Sequence, residues 1–367
     1  MNDIINVTQP SLPPLDDYIK ELESIWDSHW LTNQASKHQA LEKALKDHLH
    51  VKMAALFVNG HLSLEAILEA YQLSGEIITT PFTFPSTAHA IVRSGCTPVF
   101  ADIDPLTYNL DPAQIEALIT DQTVAILPVH LFGYPCEVDA IEAIAKKHGL
   151  RVIYDAAHAF GVTHKGQPIG HYGDASMFSM NATKVYHTIE GGLITSKDEE
   201  LYDALKLIRH YGMLSADDII YPGSNLQMNE FQAAMGLVNL KYVEHERAQR
   251  QRVHDRYQAG LKRTPGIKLP AVPADTQLAY SYFPILLTGY PETRDALHLR
   301  LAAHGIHAKK YFSPLVPSYA CYAQDSLRAP LPVAERIADN ILVLPLYANL
   351  ADDDIDRIID LIQHPAP

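Results

Sequence analysis

The chain has 367 residues, 29 Lys and Arg against 43 Asp and Glu, and a formal net charge of −14 with histidines neutral. Hydrophobic residues make up 47 % and charged residues 20 %, a globular composition of about two domains that excludes disorder, collagen and low complexity. The acidic balance argues against a nucleic-acid partner, and no apolar run approaches the roughly 18 residues of a membrane span. Cys96, Cys136 and Cys321 lie far apart, without metal-ligand spacing or the even count of a disulfide framework. The opening MNDIINVTQP has acids and a proline where a secretory signal needs basic residues and then an apolar run. A soluble, cytoplasmic protein is expected.

From about residue 50 to 200, short apolar runs alternate with helix-like segments. MAALFV precedes LSLEAILEAYQ, GEIITT leads into STAHAIVRSG, and TPVFADID follows. TVAILPVHLFG precedes VDAIEAIAKKHG, and RVIYDAAHAFG comes next. Buried strands separated by helical periodicity predict a mainly parallel sheet covered on both faces. SMFSM and GGLITSK read as two strands separated by a turn rather than a helix. One long helix is expected over about 228–262, and TPGIKLPAVPADTQ marks the way into a smaller unit with strand SYFPILLT and helix ETRDALHLRLAAHG. DDDIDRIIDLIQH closes as a helix with acids in its first turn, which suits the dipole.

In open α/β sheets the ligand sits beyond the carboxyl ends of the strands, and three groups of polar residues fall there. Asn59, Gly60 and His61 follow MAALFV and open a helix; this is either a plain strand-to-helix turn or an anion cradle made by free N–H groups. Asp155 ends RVIY, as a helix cap, a structural acid or a functional carboxylate. Lys184 ends SMFSMNATK, among small and apolar residues and between two strands, with Glu190-Gly191-Gly192 after it. Burial lowers a lysine pKa, and a neutral amine is a nucleophile toward aldehydes. A carboxylate, a lysine 29 positions later and an upstream phosphate cradle together meet the needs of pyridoxal 5′-phosphate. Read alone, Phe84 is an aromatic suited to core packing and His158 a satisfied buried histidine.

These residues lie in blocks that resemble a family nearly end to end. VTQPSLPPLDDYIKELESIWDSHWLTN, PFTFPSTAHAIVRSGCTPVFADIDPLTYNLDP, LPVHLFGYPCEVDAIEAIAKKHGLRVIYDAAHAFG, FSMNATKVYHTIEGGLITS, PGSNLQMNEFQAAMGL and AKKYFSPLVPSYACY are similar to the DegT/DnrJ/EryC1/StrS nucleotide-sugar aminotransferases. The resemblance implies an α/β fold-type I, aspartate aminotransferase-like transferase. A large cofactor-binding domain over 1–245, N-terminal segment included, precedes a smaller C-terminal α/β domain over 246–367. It implies pyridoxal 5′-phosphate on Lys184, with Asp155 as partner of the ring nitrogen, His158 near the ring hydroxyl and Phe84 stacked on the ring. Ser179 joins Gly60 and the backbone of His61 and Leu62 at the phosphate. Asn225 and Gln227 reach the phosphate site of a second copy, so a homodimer with shared sites is implied.

Three positions depart from the family pattern: His61 where many relatives have Thr, Asn181 where many have His, and Gln227 where a basic residue is common. The phosphate site should therefore be less cationic than usual. LTNQAS beside Trp30 lacks the Gly-Pro often found there. The implied reaction is amination of dTDP-4-dehydro-6-deoxy-D-glucose to the 4-amino sugar with glutamate as donor, a step of deoxyamino-sugar and O-antigen glycan biosynthesis. C3 amination, a UDP- or GDP-keto sugar, and a catalytically silent regulatory relative are the alternatives. The intact Lys184 argues against the silent relative, and against the sugar dehydratases in which His replaces it.

Overall fold

The computed structural model describes residues 4–322 and 328–365. A seven-stranded sheet forms its centre, in the order Met53–Phe57, Gly192–Ser196, Ala175–Ser179, Arg151–Asp155, Thr123–Leu127, Glu76–Thr79, Thr97–Phe100. Gly192–Ser196 runs antiparallel to both neighbours, Met53–Phe57 and Ala175–Ser179, and the other four adjacent pairs are parallel. The expectation of a mainly parallel sheet therefore holds. Continuous apolar runs such as MAALF are buried at every position, as strands covered on both faces must be.

The helices are α1 (Leu15–Ser28), α2 (Ser36–His48), α3 (Gly60–Ala70), α4 (Ser86–Arg93), α5 (Val138–His148), α6 (Glu199–Arg209), α7 (Glu230–Leu261), α8 (Arg294–Ala303), α9 (Pro332–Asn340) and α10 (Asp352–Gln363). Their ends follow local chemistry. α5 stops where Gly149 takes a left-handed φ of 68°, after Lys146, Lys147 and His148 in its last turn. α7 starts at a capping box, Asn229 bonding the Gln232 backbone and Gln232 returning the bond. Among the described residues no helix is long and apolar enough to cross a membrane.

A second, antiparallel sheet orders Ile267–Lys268, Phe283–Leu287 and Ile341–Leu344. α7 serves both parts. Ala233 and Val243 pack with Leu41 and Leu45, whereas Val253, Tyr257 and Leu261 pack with Ile285, Leu344 and Ile358. A boundary after residue 245 thus falls inside an unbroken helix, within the stretch where its buried face changes core. The N-terminal segment differs from expectation: Ile5–Asn6 pairs in parallel with Ile306–His307, and Ile5 joins the C-terminal core. A third cluster joins Phe82 and Phe132 to Tyr282, Phe312 and Val343, so the two parts meet over one apolar core. Truncating a side chain as buried as Leu344 to Ala should cost about 2–5 kcal/mol.

Met53–Phe57 ends the large sheet, and an ion pair covers it. Glu42 Oε1 accepts from Leu56 N–H at 3.1 Å, and Arg209 Nη1 donates to Leu56 O at 2.8 Å and to Glu42 Oε1 at 2.7 Å.

Candidate active site

Asp155 closes its strand with both backbone groups committed, N–H to Pro128 O and C=O from His130 N–H. The side chain is 4 % exposed. Oδ2 accepts from Thr87 Oγ1 at 2.8 Å and Oδ1 from Ala157 N–H at 3.0 Å. Burial pushes its pKa up, against the Ala157 and Thr87 hydrogen bonds and the charge of Lys184. Among the described residues it has no ion-pair partner within salt-bridge distance, so two neutral donors alone hold the buried carboxyl group.

Lys184 lies in the loop between Ala175–Ser179 and Gly192–Ser196, whose ends are paired Ser179 to Gly192. Asn181 organises that loop. Its Oδ1 accepts from Thr183 N–H at 3.1 Å and Oγ1 at 2.8 Å, and its Nδ2 donates to Glu190 Oε1 at 2.5 Å. The departure at this position thus supplies both an acceptor and a donor that brace the lysine loop. Lys184 is half-buried, and its Nζ lies 3.5 Å from Tyr282 Oη. Its charge acts on both Asp155 and His158, so the sheet gathers the three residues at one place.

His158 Nδ1 accepts from Phe132 N–H at 3.2 Å. A neutral ring bonded in this way keeps its proton on Nε2. Burial, with the nearby Lys184 charge, holds it well below the ordinary imidazole range. Phe312 stacks on the ring and Tyr282 meets it edge-on. The bland alternative is thus half right: His158 is buried and held, but through one nitrogen, and Nε2–H remains a donor.

At the head of α3, Asn59 caps the helix by accepting Leu62 N–H at 2.9 Å. Leu62 N–H is therefore spent within the chain, unlike the expectation of a phosphate donor, and the N–H groups of Gly60 and His61 remain. Gly60 packs where a Cβ would lie 3.0 Å from Ser179 Cβ, so glycine brings the helix head onto Ser179. His61 turns to Ser86 Oγ (2.7 Å from Nδ1) and Glu65 Oε1 (2.9 Å from Nε2), tying α3 to α4. Glycine, free N–H groups and a nearby serine make a cradle for an anion, and the buried carboxylate and Nε2–H donor suit a protonated pyridine with a ring hydroxyl. These residues fit pyridoxal 5′-phosphate.

Phe84 is 59 % exposed, so core packing fails for it. It lines a cleft of about 370 Å³ with Lys309, Lys310 and Tyr311. Asn225 and Gln227 line another cleft, with Thr32, Asn33 and Tyr211, that includes neither Lys184 nor Asp155. There Gln227 Nε2 donates to Asn33 Oδ1 at 3.2 Å while its buried Oε1 has no partner among the described residues. Asn33 and Gln34 take left-handed φ of 60° and 58° without a glycine, in the LTNQAS segment that lacks Gly-Pro. Sequence reading missed Thr87 and Tyr282: a threonine in a helix head and a tyrosine before a strand carry no local signal of the site they reach.

Residues 15–363 match the DegT/DnrJ/EryC1/StrS aminotransferase family. The chain is 40 % identical over 98 % of its length, and 98 % of the relative's, to a dTDP-4-amino-4,6-dideoxy-D-glucose transaminase of Shigella dysenteriae. It is 41 % identical to one of the same name from Escherichia coli, covering 99 % of each chain. It is also similar to the crystal structure of DesI in the presence of its TDP-sugar product: TM-score 0.94 and 34 % identity, over 99 % of this chain and 93 % of that one. By sequence, fold and site, the chain belongs to the DegT/DnrJ/EryC1/StrS family of pyridoxal-phosphate-dependent aminotransferases.

Proposed function

We propose that the chain moves the amino group of L-glutamate to C4 of dTDP-4-dehydro-6-deoxy-D-glucose, yielding 2-oxoglutarate and dTDP-4-amino-4,6-dideoxy-D-glucose. The near full-length likeness to two transaminases named for that product supports this acceptor. Lys184 would hold the cofactor, with Asp155 at its ring nitrogen, His158 Nε2–H at its ring hydroxyl, Phe84 on its face, and Gly60 and His61 N–H with Ser179 at its phosphate. Bound pyridoxal phosphate supplies an aldehyde that condenses with amines and a ring that takes up electrons. Asp155 keeps a proton at the ring nitrogen. Lys184 Nζ, once its amine is free, takes a proton from the donor's α-carbon and returns one at C4 of the acceptor, as general base and then acid.

The cleft at Asn225 and Gln227 is read as completing the phosphate site of a second copy, which makes the working unit a homodimer. Its buried, unpartnered Gln227 Oε1 supports that reading. Three free cysteines suit a reducing compartment, and we place the protein in the cytoplasm. The test is product analysis after incubating the purified protein with glutamate and a panel of dTDP-, UDP- and GDP-linked keto sugars. The dTDP-4-keto sugar should be aminated fastest, at C4. Preference for a GDP- or UDP-sugar, or amination at C3, would replace the acceptor.

A further inference from the structure

Burial opposes charge on Asp155, and two neutral donors answer it. The Ala157 N–H bond comes with the turn after the strand, and any residue but proline supplies it. The Thr87 bond is a side-chain choice. A hydroxyl has one proton and a carboxylate only accepts, so the Thr87 proton is committed to Oδ2 at 2.8 Å. The 3.3 Å contact between Thr83 Oγ1 and Thr87 Oγ1 then runs one way, with Thr83 donating. The two threonines are 2 % and 0 % exposed, so water competes for neither, and hydrogen bonds in such a chain polarise one another.

The same stretch of backbone reaches the other parts of the site. Phe84 presents its ring, and Ser86 Oγ holds His61 at the anion cradle. The first turn of α4 and the residues before it therefore join the carboxylate to the cradle and carry the exposed Phe84 between them.

We propose that Thr87, backed by Thr83, is a positioning residue that keeps the Asp155 carboxylate ionised and aimed at the ring nitrogen of the bound cofactor. This rests on the cofactor of the reading above and not on its sugar. Valine at 87 fills the same volume but leaves an Oδ2 lone pair bare, whereas serine keeps the donor and loses a methyl group. Among the described residues the charge acting on Asp155 is that of Lys184, which none of these changes removes.

The test uses apoprotein of the wild type and of Thr87→Val, Thr87→Ser and Thr83→Val. Two quantities are read: the pyridoxal phosphate dissociation constant by fluorescence, and the Asp155 carboxylate band by infrared difference against Asp155→Asn. A hydrogen bond to a charged group sets the scale, so Thr87→Val should weaken cofactor binding about tenfold. It should also move the Asp155 band toward the protonated form at neutral pH. Thr87→Ser should stay within about twofold of wild type, and Thr83→Val should lose about threefold. Equal losses in Thr87→Ser and Thr87→Val would reduce Thr87 to packing and overturn the proposal, as would an unchanged band in Thr87→Val. Should Thr87→Val not fold, Thr83→Val decides: an unshifted band there removes the relay. No readout uses sugar turnover, so a wrong acceptor leaves the test standing.

Discussion

Tyr282 Oη stands 3.5 Å from Lys184 Nζ across 98 residues of sequence. Tyr282 immediately precedes the Phe283–Leu287 strand of the C-terminal sheet, so that sheet delivers a hydroxyl to a lysine held by the central one. The same ring meets His158 edge-on with centroids 4.8 Å apart. Tyr282→Phe keeps this packing and removes the hydroxyl. Turnover should fall about tenfold, with cofactor loading unchanged. Stopped-flow measurement of the glutamate half reaction checks it, since a purely structural tyrosine would leave that rate alone.

Lys184→Ala should lose the covalent anchor of the cofactor while keeping the fold. Borohydride reduction of the wild type should fix pyridoxal phosphate on the peptide containing Lys184, and mass spectrometry locates it. Labelling of Lys165, an exposed lysine paired with Asp139, would displace Lys184 from the role.

Asp155→Asn should leave Lys184 able to take up the cofactor but remove the anion that keeps the ring nitrogen protonated. Turnover should drop by about a hundredfold or more, a loss typical of deleting one electrostatic partner of the reacting group. Cofactor loss should be only partial. Steady-state kinetics alongside absorbance of the bound cofactor separates the two effects, and near-normal turnover would clear Asp155 of the role.

Glu42 sets an acid limit on stability. Burial pushes its pKa up, but His38 and Arg209 outweigh that and bring it to about 2, from 4.5. A carboxyl depressed by folding stabilises above its unfolded pKa, and that contribution fades as pH falls through the folded value. The contribution is about 3 kcal/mol at neutral pH, lost between about pH 4.5 and 2. Glu42→Gln should flatten the pH dependence of urea unfolding over that window. It should also cost about 3–5 kcal/mol at pH 7, because the Arg209 charge would stay buried without its carboxylate partner.

Mixing Lys184→Ala with the double variant Asn225→Ala/Gln227→Ala tests the shared site. A heterodimer would hold one site with an intact lysine and an intact partner loop. Random exchange of subunits should restore up to about a quarter of wild-type activity. No recovery after proven exchange, or a loaded and active monomer, would mean that each chain completes its own site.

The alternation of apolar runs and amphipathic helices was legible because buried strands and helices impose it residue by residue. The lysine between two strands was legible for the same reason: SMFSM and GGLIT leave no room for a helix. What escaped depends on contacts between distant residues. Nothing around Thr87 shows that its hydroxyl meets Asp155, and nothing in SYFPILLT points its tyrosine at a lysine. The Leu62 assignment missed a local signal, since Asn59 before a helix is a strong cap and a cap uses up an early N–H. Ile5–Asn6 escaped because two paired residues have no periodicity to detect.

The ion pair on Leu56 has a consequence for solubility. Glu42 and Arg209 occupy outward-facing N–H and C=O groups that an eighth strand would use, so they act as a charged stopper on the sheet's end. Bare edges of buried, β-prone sequence are templates for another chain to add on. Acid that protonates Glu42 loosens the stopper before the MAALF strand itself is lost. Below about pH 2 the bared edge should then stack strand to strand into aggregates, and turbidity should rise with protein concentration rather than with unfolding alone.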